Sequence, residues 1–196
     1  MRILLTFLCF GLLSLGTQAQ TLSMHNVEYE DHLAPTADSP ELFLRGASLR
    51  RVYGIVDTYV GLLYVGDKDI PSDQIASADI PRRMEFRLIS NRVTSMRFVK
   101  VIEEGLALNS NKEEMAQIEP RVQKLFKLFD YKFVKGTVGM IEWIPSQQVS
   151  RVTINGEIRG TVPGKDLSDA LLRIWIGDHP VSERFKKEVL GIAQAN

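Results

Sequence analysis

Few residues in this chain have the types and spacing that chemistry requires. Its histidines, His25, His32 and His179, are scattered, and none has a carboxylate at metal-ligand spacing, so the sequence points to no metal. Glu103 with Glu104 and Glu113 with Glu114 form adjacent acid pairs that acid–base catalysis could use. Neighbours on a helix point about 100° apart, however, which makes these pairs solvated faces rather than paired carboxylates. The segment "KDLSDALLRIWIGDHP" poses a sharper question. Asp166 can cap a helix, Leu167, Ala170, Leu171 and Ile174 follow at helical spacing, and Gly177 and Pro180 end the run. Ser168 sits one residue after the first leucine and Trp175 at the far end. Taken alone, Ser168 reads as a helix-start hydroxyl bonded to backbone and Trp175 as a core residue.

The elements that would position these groups can be read from hydrophobic period. Residues 1–19 have the plan of a secretory signal peptide: Arg2, the apolar run "ILLTFLCFGLLSL", and small residues that allow cleavage after Ala19. The run is too short to span a bilayer. Cys9, the only cysteine, lies inside it, so the mature chain has neither disulfide nor thiolate chemistry and must be stabilised by burial alone. About 175 residues suffice for one such core. A periplasmic or secreted location follows. The 24 basic and 24 acidic residues balance, which points to neither nucleic acid nor an anionic membrane as partner, and no stable membrane insertion is expected after cleavage.

Residues 20–40 are polar and turn-rich and read as an N-terminal arm, with the folded domain over 41–193. "IVDTYVGLLYV" (55–65) is nearly continuous in strand formers, as in a strand covered on both faces. In "RMEFRLI", Met84, Phe86 and Leu88 alternate with Arg83, Glu85 and Arg87, the pattern of a half-exposed antiparallel strand. The period then becomes helical: Phe98, Val101, Ile102 and Leu106 mark one helix, and Ile118, Val122, Leu125, Phe126 and Phe129 a second. "TVGMIEWI" returns to strand, and "RVTINGEIRGTV" carries the Asn-Gly hairpin signal. A three-residue loop that pairs Ile154 with Ile158 keeps like residues on one face. Ser182 caps a short last helix that ends at Gly191. Clustered strands without βαβ alternation predict an α+β domain, a large antiparallel sheet with helices packed on one face. No Gly-rich phosphate loop and no G-x-S-x-G elbow occurs.

Three stretches in order, "RGASLRRVYGIVDTYVGLLYV", "FVKVIEEGL" and "INGEIRGTVPGKDLSDALLRIWIGDHP", resemble the chalcone isomerase-like family from about Glu41 to Gly191. The resemblance implies an open-faced antiparallel sheet, helices over one face, an apolar cleft between them and no cofactor. Its plant enzymes close a chalcone to a flavanone, while related members bind fatty acids. By the same resemblance the ligand-binding residues are Arg50, with Arg51 one residue away as the alternative, Thr58, three residues before Gly61, and Ser168. The enzymes also carry a tyrosine and an asparagine in the second-helix region. No tyrosine lies between Asn91 and Asp130 here, and Asn109 and Asn111 do not reproduce the spacing. The reading is an exported, non-catalytic binder of an apolar small molecule with an acidic or carbonyl oxygen, such as a fatty acid. An intramolecular lyase or isomerase of chalcone isomerase type and an envelope interaction module are the alternatives.

Overall fold

A computed structural model describes residues 19–37 and 39–192; the expected signal peptide lies almost wholly outside the described residues. Seven antiparallel strands form the main sheet, in the spatial order β3 (His32–Leu33), β4 (Leu42–Val52), β5 (Val56–Val65), β6 (Arg82–Leu88), β7 (Val138–Ile144), β8 (Val149–Ile154) and β9 (Glu157–Pro163). Sequence order and spatial order coincide. Each strand therefore pairs with its neighbour in the chain, and the helices are inserted between strands or follow the last one.

α1 (Ser95–Asn109) and α2 (Lys112–Leu128) leave the sheet after β6 and return to β7. Thr94 caps α1 by accepting from Arg97 N, and Asn111 caps α2 in a reciprocal box with Glu114. α3 (Lys165–Ile176) and α4 (Glu183–Val189) follow β9. Gly164 stands at the start of α3 instead of Asp166, whose carboxylate is inside the first turn and grips Arg121 at 2.7 and 2.5 Å. That pairing holds the Asp166 carboxyl below its ordinary value.

The four helices share one face of the sheet. Phe98, Ile102, Ile118, Leu171, Ile174, Trp175 and Phe185 pack there on Leu63, Met84, Phe86, Ile141 and Val152. The layers meet so closely that a Cβ on Gly61 would lie 2.3 Å from Phe185 and one on Gly139 2.2 Å from Phe86. The opposite face is not bare. Residues 21–33, expected as an irregular lead-in, contain a hairpin of β1 (Thr21–Met24) and β2 (Val27–Glu30), then β3 at the sheet edge. Leu22, Met24, Val27 and Tyr29 of this hairpin pack on Leu49, Val60, Leu62 and Tyr64. Helices on one side and the hairpin on the other explain why β5 is buried on both faces.

The β8–β9 connection differs from its expectation. Ile154 pairs with Glu157 across a two-residue Asn155-Gly156 turn with positive φ at both positions, and the register then slips between Val152 and Thr153. The mixed pairs Ile154–Glu157 and Thr153–Ile158 remain and leave Ile158 exposed, while the bulge beyond them returns Val162 to the helix-covered face. Beyond it Gly160, at φ 148°, stands opposite Val152.

Candidate functional site: a cationic cleft at the end of β4 and β5

The β4–β5 hairpin and the first turns of α1 enclose a cleft of about 580 Å³. Arg50 and Tyr59 pair directly across β4 and β5 and so share a face, the one under the helices. The next pair is Arg51 with Asp57, which leaves Thr58 as the extra residue of a bulge. Thr58 Oγ1 donates to Arg50 O at 2.7 Å, and Ile89 N donates to Thr58 O at 3.0 Å, so the bulge is fastened from both sides. Arg51 turns away to Asp57 at 2.6 Å, leaving Arg50 as the arginine of the cleft.

Val52, Val56, Val93, Phe98 and Val101 give the cleft apolar walls. Arg50, Arg92, Arg97 and Lys100 face it against one carboxylate, Glu104, which reaches Lys100 at 3.7 Å. Arg50, Arg92 and Arg97 have no carboxylate partner among the described residues; Arg50 and Arg97 bond only to backbone oxygens, of Arg51 and Arg92 respectively. Tyr59 forms the floor. Its ring is buried and its hydroxyl accepts from Trp175 Nε1 at 3.0 Å. Burial raises the Tyr59 pKa, outweighing the Trp175 hydrogen bond and the nearby Arg50 charge. The hydroxyl therefore stays protonated and can donate a hydrogen bond rather than act as a base.

Of the three residues expected at one site, Arg50 and Thr58 come together and Ser168 does not. Ser168 lines a separate cavity of about 20 Å³, room for a water at most, beside Arg82, Met84 and Trp143. It accepts from Arg82 Nη2 at 3.1 Å. Trp175 borders this cavity while its indole bonds Tyr59, so the tryptophan forms the wall between the two places. Thr58 has committed its hydroxyl proton to backbone, which leaves its oxygen as an acceptor only. Asn109 and Asn111 are also structural: Asn109 ties Gly105 O to the backbone of His179, and Asn111 caps α2. Sequence reasoning missed Tyr59, Arg92 and Arg97. Tyr59 had no register signal, since an unbulged hairpin closed by Val52 and Val56 sets Arg50 opposite Thr58 and only the bulge moves it to Tyr59. Arg92 and Arg97 had none, because their approach depends on how α1 lies on the sheet.

Among the described residues no group of three or more His, Cys, Asp or Glu side chains is placed to hold a metal, and no helix is long and apolar enough to cross a membrane. No curated protein matches the sequence significantly. Among solved structures, a fatty-acid binding protein of Arabidopsis thaliana shares the fold, with a TM-score of 0.67 and 17% sequence identity over 87% of this chain and 96% of that one. The family model for chalcone isomerase-like proteins matches residues 21–191, a span that takes in the β1–β2 hairpin as well as the sheet and helices. The chain belongs to the chalcone isomerase-like family.

Proposed function

We propose that the protein is a non-catalytic binder of an apolar small molecule with an acidic head, a fatty acid or a close analogue, and that it works in the periplasm or outside the cell. One observation carries the binding reading. Arg50, a cation without a carboxylate partner, faces an apolar cleft beside a buried tyrosine that keeps its proton. A carboxylate placed there receives a charge-assisted fork from Arg50 and a hydrogen bond from Tyr59. The volume falls within the range of small-molecule sites. Each methylene covered by Val52, Val93, Phe98 and Val101 contributes about 0.8 kcal/mol, less the cost of immobilising the chain. The plant protein that shares this fold is a fatty-acid binding protein, which supports the same ligand class. The apolar run of residues 1–19 supports the location.

The isomerase reading has less support. Closing a chalcone needs a positioned hydroxyl to handle a proton, and Tyr59, with its raised pKa and its bond to Trp175, supplies a fixed donor only.

Calorimetric titration with a medium-chain fatty acid and with the matching fatty alcohol tests the proposal. Arg50→Gln is expected to weaken the acid by roughly 1.5–3 kcal/mol, on the order of ten- to a hundredfold, and the alcohol much less. If wild type binds neither molecule, the binder reading fails. Equal weakening of acid and alcohol removes Arg50 as the carboxylate anchor. Native mass spectrometry of the exported protein reads its first residue, expected to be Gln20, together with any molecule that stays bound.

A further inference from the structure

The β4–β5 turn is built from residues that suit water poorly. Tyr53 and Gly54 occupy its two central positions at φ 53° and 71°, and Ile55 N closes the turn on Val52 O at 3.3 Å. A left-handed backbone is costly for a bulky side chain and is ordinarily given to Asn, Asp or Gly. Tyr53 nevertheless holds this strained position while 92% exposed, and Ile55 next to it is 83% exposed. Neither side chain has a hydrogen bond or ring contact among the described residues. Met96, in the first turn of α1, is 79% exposed, and Val101 is also open. Tyr53 and Val101 line the cleft, and Ile55 and Met96 adjoin in sequence residues that line it, so half of the large exposed apolar side chains among the described residues lie at or next to the rim of its mouth. The same rim holds the unpaired guanidinium groups of Arg50, Arg92 and Arg97.

We propose that this rim is a docking surface for an anionic lipid bilayer. The Tyr53–Ile55 tip and Met96 enter the headgroup boundary, and Arg92, Arg97 and Lys100 meet lipid phosphates. Exposed aromatic and aliphatic side chains flanked by cations are what an interfacial surface requires. Charge selects the partner: a soluble apolar peptide would leave three guanidinium groups without counterions, whereas an anionic headgroup layer matches them all. Overall charge neutrality had argued against such a surface, but a whole-chain sum is blind to where the charges stand. The docking is peripheral and needs no ligand in the cleft, so it stands independently of the fatty-acid reading. Its consequence for that reading is that the mouth of the cleft would open onto the bilayer itself.

Vesicle sedimentation tests this with the chain beginning at Gln20, which contains both hydrophobic cores and every described element. Vesicles of phosphatidylcholine alone are compared with vesicles of equal parts phosphatidylcholine and phosphatidylglycerol, at low and at high salt and without free fatty acid. Wild type is expected to sediment with the anionic vesicles at low salt, to be released by high salt, and to bind the neutral vesicles weakly. Tyr53→Asn with Ile55→Thr, a pair that suits the turn, is expected to lower partition roughly tenfold. Arg92→Gln and Arg97→Gln are each expected to lower it about fivefold at low salt. Wild type remaining in the supernatant with anionic vesicles overturns the proposal. So does a tip variant that sediments like wild type, an outcome that would make the rim a surface for a protein. Because no fatty acid is present, neither result bears on the calorimetric test of the cleft.

Discussion

Arg50 and Arg82 are both arginines on strands of one sheet, and they live in opposite conditions. Arg82 is 3% exposed and donates to Ile75 O at 2.8 Å, Ala76 O at 2.7 Å and Ala78 O at 3.2 Å, as well as to Ser168 and Asp169. Burial pulls its pKa down and Asp169 draws it back. Arg50 is half-buried and has no side-chain partner. The contrast separates two uses of a guanidinium. Where the protein itself saturates the donors, the residue holds the fold together. Where it leaves them unsaturated at the edge of an apolar cleft, the residue is available to a ligand. Ser168, expected beside Arg50 by the resemblance, stands beside Arg82 instead.

The largest effect expected from this comparison is on stability. Arg82→Met keeps much of the apolar stem but strands three carbonyls of the β5–β6 connection and the Asp169 carboxylate, which then relies on Lys165 at 2.5 Å. Breaking a buried pair from one side costs about 3–5 kcal/mol. Urea unfolding should show a loss of that order for Arg82→Met, while Arg50→Gln, a half-buried change, should remain within about 0.5 kcal/mol of wild type. Similar losses for the two would abolish the distinction between them.

A second buried polar cluster sharpens the contrast through its pH dependence. On the hairpin face of the sheet, Glu142 is 1% exposed and lies between Arg83 at 3.0 Å and Arg151 at 2.5 Å, with Ser39 donating to the same carboxylate. Burial pushes the Glu142 carboxyl up, but Arg83, Ser39 and Arg151 together hold it below its ordinary value. In the window between the two values the unfolded chain binds more protons than the folded one, so stability rises with pH there. The contribution is complete above the ordinary carboxylate range and is lost as pH falls through the lowered folded value. Wild type should therefore lose stability on acidification below about pH 5, by less than Arg82→Met loses at neutral pH. Glu142→Gln, less stable at neutral pH, should show a flatter acid limb in urea titrations. An unchanged acid limb would mean that other carboxylates carry the acid sensitivity.

Legibility followed the range over which each signal acts. Period alone located β5, β6, α1, α2 and α3, because each buries one or two faces and its residues repeat accordingly. The β1–β2 hairpin escaped notice although Leu22 and Met24 alternate with polar residues, since His25 and Asn26 do not announce a turn as Asn-Gly does. The β8–β9 loop was misread because a bulge undoes the rule that paired residues continue in register. For the site, strand pairing brought Arg50 and Thr58 together, as a hairpin must. Ser168 is far away in sequence, and nothing local to "KDLSDAL" reveals that Trp175 would stand between it and the cleft. Val101 looked like core by spacing and is 37% exposed instead, because the helix lies at the mouth of the cleft there.

The smallest effect expected compares two hairpin turns that share a left-handed residue pair. Asn155-Gly156 is the two-residue loop between Ile154 and Glu157, whereas Tyr53-Gly54 opens a three-residue loop closed by Val52 and Val56; both pairs have positive φ. Asn155 suits its place twice over: it tolerates the left-handed region, and its side chain accepts from Val138 N at 2.8 Å and donates to Tyr131 Oη at 3.1 Å. Tyr53 does neither and is almost wholly exposed. If its cost is not recovered inside the fold, Tyr53→Asn should stabilise the isolated protein, by about 0.5–1 kcal/mol, through relief of the left-handed strain. A thermal melt without lipid or ligand reads the change as a rise of a few degrees at most. A fall would show that the Tyr53 ring is held by contacts within the protein. A rise, together with weaker vesicle binding by the tip variant, would mean that the residue at this turn is kept for what it meets outside the fold.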